Sequence, residues 1–330
     1  MVNPKSVRLS WQGQLVRFAP HIVGIVILTI VIPFLPTYVQ SLMTKILIFA
    51  IFAMSLDLLM GYTGVLSLGH AAYFGVGGYT VGILMVHYGI DSFWIGAPCG
   101  ILLSTLVAAI FGIIVLQVRG IYSLLVTFAL GQLLYSIAMK WRSMTNGEYG
   151  LTGIIRPDLG LPHFTWNTTY FYYFVFIVFA ICFFLLYRLV KSPFGQALQG
   201  IREGESRMSV LGYNAWLYKY IAFVIAGMFA GVAGVLFAYH NGIMVPPNLD
   251  VSTSGFVMLM MIAGGMGTLY GPVIGAAALI IIQFYAGVFT PERWPLILGG
   301  AFVLTIMYAR AGIGVYLYRL YRRLSPAWKP

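Results

Sequence analysis

Few residues in this chain have side chains fit for chemistry, and they are scattered. Asp57 is the one acid well inside an apolar run, in Ala53-Met-Ser-Leu-Asp57-Leu-Leu. An ionisable group in such a run is expensive and by default marks a path or gate. The alternative is a hydrogen-bonded packing residue near the end of its helix. His70 follows Gly69 at a helix start, with no Cys or acid at metal-ligand spacing beside it, and reads as structural before it reads as a ligand. His21, His87, His163 and His240 form no pair, and no H-E-x-x-H or G-x-S-x-G occurs. Cys99 and Cys182 lie in apolar runs and make neither a disulfide framework nor a zinc site. Two glycine-rich breaks, Gly61–His70 and Gly264–Pro272, supply the remaining polar groups. They offer Gly61, Thr63, Ser67 and His70 from one break, and Gly264, Gly265, Gly267 and Thr268 from the other, as lining for a path. Close helix packing with a tight turn explains the same glycines equally well. The second break is like a phosphate loop only in its glycines, because the chain has no Gly-Lys pair and so no ATP site of its own. No metal, cofactor or catalytic residue is expected.

The elements that must hold these residues are apolar helices. Of 330 residues 60% are hydrophobic and 8% charged, where soluble domains average about 25% charged. A bilayer span needs about 20 apolar residues. Ten runs qualify: Pro20–Val39, Leu42–Met60, Leu66–Val86, Trp94–Val118, Gly120–Met139, Tyr170–Leu189, Leu217–Tyr239, Ser254–Leu269, Gly271–Phe289 and Pro295–Ala309. The third, eighth and tenth are short or glycine-broken, so eight to eleven spans fit. The first follows Lys5, Arg8 and Arg17 like a signal peptide but has no small-x-small cleavage site, and reads as an uncleaved span. The fold class is all-α, a polytopic transmembrane helical protein. It divides into a basic segment 1–19, one transmembrane domain 20–310 and a basic tail 311–330.

Net charge +11 is no nucleic-acid footprint, since the basic residues punctuate apolar spans. With both termini cytoplasmic, 14 of the 19 Lys and Arg fall inside, as the positive-inside rule requires. Asp91, Glu148, Asp158, Asp250 and Glu292 then fall outside, and Asp57 is the single acid in the spans. A proton- or sodium-coupled carrier usually shows several intramembrane ionisable residues, so the driving energy must come from partners.

The longest inner loop, Lys191–Lys219, is itself patterned. Ser192-Pro193 reads as an N-cap with proline at the first helical position. Phe194, Ala197, Leu198 and Ile201 then recur at helical spacing, Met208 and Leu211 extend the apolar stripe, and Gly212 offers a stop. Such a helix either lies on lipid or docks into a cytoplasmic partner. Glu203 and Glu205 weigh against an anionic lipid surface.

In order along residues 46–282, several motifs resemble the permeases of branched-chain amino-acid ABC importers. They are Ser55-Leu-Asp57-Leu-Leu, Gly61-Tyr-Thr-Gly, Ser67-Leu-Gly-His-Ala-Ala, Ser192-Pro-Phe-Gly-Gln-Ala-Leu, Ala230-Gly-Val-Ala-Gly234 and Gly264-Gly-Met-Gly-Thr-Leu-Tyr-Gly-Pro272. Within that family the chain is most similar to the M-type (LivM-like) subunits. The resemblance implies a type II importer permease in a bacterial inner membrane that is not itself an enzyme. Its implied partners are a second permease subunit, two cytoplasmic ATP-binding subunits, a periplasmic binding protein and membrane lipid. It implies that Gly200, Ile201, Arg202, Glu203, Arg207 and Gly212 couple to the ATPase. It also implies that the outer loop 140–169 faces the binding protein. Members often carry Asn where Asp57 stands, which sets this chain apart. A urea or short-chain amide importer is the alternative within the family. A stand-alone carrier or channel is the alternative outside it.

Overall fold

A computed structural model describes residues 32–118, 120–158, 160 and 166–289, with isolated positions 296, 299, 300, 303, 307 and 312 beyond them. Most of the first expected span, the tenth span, and both basic ends lie outside the described residues. Ten α-helices of six residues or more organise the described residues: α1 Thr37–Asp57, α2 His70–Tyr88, α3 Phe93–Val115, α4 Ile121–Lys140, α5 Thr168–Lys191, α6 Pro193–Glu203, α7 Glu205–Val210, α8 Ala215–Asn241, α9 Val251–Gly264 and α10 Tyr270–Phe289. A π-helical turn, Leu58–Thr63, continues α1. Among the described residues, six helices are long and apolar enough to cross a membrane: α1 with its π turn, α3, α4, α5, α8 and α10. The chain is a multi-pass helical membrane protein.

Two expected spans are displaced by their glycines. Leu66–Val86 gives way to a helix that starts only at His70, because Gly64 takes a left-handed conformation (φ 74°) and residues 65–69 run without helix. Ser254–Leu269 becomes Val251–Gly264, ended by Gly265 at φ 120°.

Burial separates the centre from the rim. The most apolar stretch of α1 is 83% buried and that of α8 72%, against 22% in α4 and α5. Helices α1, α2 and α8 form the centre, with α3, α5 and α10 packed around them. Glycine makes the close crossing of α2 and α8: a Cβ at Gly234 would strike the carbonyl of Phe74, and one at Gly77 would sit 2.6 Å from the carbonyl of Gly231. Small residues of this kind let membrane helices touch backbone to backbone. On the rim, every exposed residue of α3 is apolar apart from Cys99. Up to Leu185 the exposed face of α5 is likewise apolar, with Ile177, Ile181 and Phe184.

The connections gather at two ends. At one, β1 (Leu151–Thr152) pairs antiparallel with β2 (Ile243–Met244), and Phe93 donates its backbone N–H to the Asp158 carbonyl at 2.9 Å. At the other lie α6, α7 and the Gly265–Thr268 turn. The chain after β2 does not stay at its end. It folds back through Pro246–Leu249, seats buried Leu249 against Gly75 in α2, and delivers Asp250 to Gln132 in α4. Gln132 is the twelfth of the 20 residues of α4. It therefore lies roughly 12 Å below Lys140, near mid-depth, at the helical rise of about 1.5 Å per residue. The expectation that Asp250 lies in an outer loop is corrected accordingly: the bundle holds a second acid at depth.

Candidate translocation path and coupling segment

The two glycine-rich breaks meet at the α6 end. Asp57, fully buried, accepts a hydrogen bond on Oδ1 from the Gly267 backbone N–H at 2.7 Å. Arg202, on α6, donates from Nη1 to the carbonyl of Gly61 inside the π turn. Gly61 has to be glycine here: its Cβ would collide with the Asp57 carboxylate and lie 2.7 Å from the nitrogen of Gly267. Gly267 itself turns at φ 78°, a conformation that favours glycine. One cluster thus joins α1, α6 and the α9–α10 turn, three elements far apart in sequence. The hydroxyls of Thr63 and Thr268 bond within their own turns, to the carbonyls of Leu59 at 2.5 Å and Gly265 at 2.7 Å. They brace the breaks and do not reach outward. Gly264 packs on the carbonyl of Gly271 where α9 and α10 cross.

A second polar layer lies deeper. The hydroxyl of Ser55 donates to the Phe52 carbonyl at 2.7 Å, so its oxygen accepts from His70 Nε2 at 2.8 Å. His70 Nδ1 is then a bare acceptor, without a partner among the described residues. Ser67, also fully buried, has no partner there either. Ala71 donates its N–H to Ser254 Oγ at 2.9 Å, and Leu68 donates to Thr127 Oγ1 at 3.1 Å. Helices α2 and α9 therefore both begin beside the middle of α4, where irregular backbone survives only if protein or a wet cavity surrounds it.

Helix α6 forms as its sequence predicts. Ser192 Oγ accepts from the Gly195 N–H at 3.4 Å, and Pro193 opens the helix. Its buried face is Gly195, Ala197, Leu198 and Ile201. Ile201, expected among the docking residues, is 2% exposed and packs inward. Gly200 faces Met208 of α7. Arg202, Glu203, Arg207 and Gly212 remain on the exposed side. Sequence periodicity also carried Leu211 into the inward stripe. Instead Val210 and Leu211 are 87% and 71% exposed and form an apolar tip beyond α7. The extended Gly204 resets the helical phase between α6 and α7, so the stripe does not continue. Lys219 holds Glu205 at 2.8 Å, and Phe194 stacks on Tyr218, fixing the segment to α8.

Residues 38–309 match a family described as the permease component of the branched-chain amino acid transport system. The chain belongs to that family. It is 27% identical to the high-affinity branched-chain amino acid transport system permease LivM of Escherichia coli, over 94% of this chain and 78% of that protein. It is 22% identical to the permease BraD of Pseudomonas aeruginosa, over 84% of this chain and 95% of that one. LivH of Escherichia coli, from the same kind of system, is 22% identical over 78% of this chain and 88% of its own length. No solved structure matches the chain. The chain is thus of a permease family, and the polar layers described above are its candidate site.

Proposed function

We propose that this chain is a permease subunit of an ATP-driven importer of branched-chain amino acids in a bacterial inner membrane. It pairs with a second permease, takes solute from a periplasmic binding protein and is driven by two cytoplasmic ATPases. Ten spans with both termini inside give the best account of its charge. The observation that carries the coupling role is the bond from Arg202 to the Gly61 carbonyl. A displacement of α6 by an ATPase would act through Arg202 on the π turn. From there it would reach Asp57, the Gly267 turn and the mid-depth starts of α2 and α9. The apolar tip Val210–Leu211 is the contact surface toward the ATPase, and Arg202 is the positioning residue behind it. Asp57, Gly61 and Gly267 serve as a latch at the inner end of the path, with Ser67 and His70 lining it above.

The test is leucine uptake by proteoliposomes carrying the full complex, with binding protein outside and ATP where the ATPases sit. ATP-dependent uptake is expected, and Arg202→Ala is expected to leave ATP hydrolysis running while uptake falls by about tenfold or more. Flux through the permeases without ATPases, or transport of urea in place of leucine, would overturn the reading.

A further inference from the structure

The open face of α4 differs from the other rim helices. Gln132, Ser136 and Lys140 follow one another at four-residue spacing, with Ser136 and Lys140 exposed. An open groove lined by Leu133, Ser136, Ile137, Lys140 and Trp141 lies at the Lys140 end. Below it Gln132 Nε2 donates to Asp250 Oδ1 at 2.8 Å, and the exposed Ser252 donates its hydroxyl to Asp250 Oδ2 at 2.8 Å. Both carboxylate oxygens are thus oriented by neutral donors. No cationic side chain pairs with Asp250 among the described residues. A half-buried carboxylate at mid-depth is costly against lipid tails, and α3 and α5 show what a lipid-facing surface of this chain looks like. The α4–α9 face is therefore turned to water. An anion without a cationic partner, held by a helix whose exposed face carries Leu133 and Ile137, fits a solute that is apolar with one cationic end.

We propose that Asp250, braced by Gln132 and Ser252, is the station that receives the ammonium group of the amino acid in transit. This rests on the importer reading above and adds to it a residue and a chemical contact. The carboxylate stays anionic, the ammonium replaces water beside it, and apolar Leu133 and Ile137 flank the approach. Gln132 and Ser252 act as positioning residues, because their bonds aim both oxygens.

The test uses the complete reconstituted complex carrying Ser252→Cys, with the unsubstituted complex as the blank. Two thiol reagents of similar size are compared, cationic aminoethyl and anionic sulfonatoethyl methanethiosulfonate. Modification at position 252 is expected, faster for the cationic reagent by about tenfold. Adding Asp250→Asn is expected to bring the two rates together, and Leu106→Cys on α3 is expected to stay unreactive. In the same membranes Asp250→Asn alone is expected to lower leucine uptake by at least about tenfold, with ATPase subunits still bound. An inert thiol at position 252, or equal rates for both reagents, would sink the station while leucine import by the unsubstituted complex keeps the importer reading standing. If the unsubstituted complex imports no leucine, both fall together. Should Asp250→Asn fail to assemble, the rate preference of the Ser252→Cys thiol in the otherwise unchanged chain still decides.

Discussion

Among the described residues, Asp57 and Asp250 are the two acids held within the helical bundle, and their surroundings are opposites. Asp57 is fully buried, grips a backbone N–H of a glycine turn and sits one π turn from Arg202. Asp250 is half-exposed, held by two neutral side chains and the backbone N–H of Ser252 at the start of α9. The first arrangement ties three elements together and leaves no room for a solute. The second leaves charge on offer at depth. An acid in an apolar run is thus not by itself a path residue: what its oxygens touch decides.

The comparison can be broken by substitution. The largest effect is expected from Gly61→Val, whose side chain falls on the Asp57 carboxylate and the Gly267 backbone. It is expected to cost about 3 kcal/mol or more, read as loss of monodisperse protein in detergent. Next comes the apolar tip. Val210→Asp with Leu211→Asp is expected to weaken ATPase co-purification by about thirtyfold or more, as for removal of a hot spot, while the permease itself stays folded. The same change at the two acids then separates them. Asp57→Asn keeps a carbonyl oxygen for the Gly267 N–H and is expected to hold uptake within about twofold of the parent chain. Asp57→Ala leaves that N–H unpaired at about 1–3 kcal/mol, seen as a lower thermal midpoint. A severe uptake defect in Asp57→Asn would return Asp57 to the path. The smallest effect is expected from Thr63→Val, which removes two local bonds, one to the Leu59 carbonyl and a longer one from the Val65 N–H. A loss of about 0.5–1.5 kcal/mol with normal uptake is the outcome that keeps Thr63 a brace.

Most spans were legible because hydropathy over 20 residues does not depend on partners. Trp94–Val118 became Phe93–Val115, and Tyr170–Leu189 became Thr168–Lys191. The fold-back through Pro246–Leu249 was not legible. A loop that dips to mid-depth has the same composition as one that stays at the surface, and only contacts distant in sequence, Leu249 on Gly75 and Asp250 with Gln132, reveal it. Arg202 was singled out by the family resemblance of its segment. Its bond to Gly61 spans 141 residues and leaves no local signal. Periodicity placed Ile201 rightly on the buried stripe, and Leu211 was misread for a simpler reason: Gly204, in an extended conformation, shifts the phase of everything after it. The glycine-rich breaks were visible as breaks, yet spacing alone does not show that Gly61 and Gly267 face each other.

The seating of α6 has a mechanical side. Its inner face is bolted down by Leu198 and Ile201, its start by Phe194 on Tyr218, and its end by Arg202 on Gly61. A hinge so seated has no slack. On the proposed reading, load applied at the Val210–Leu211 tip passes through α6 into the centre of the bundle and reaches the broken end of α1.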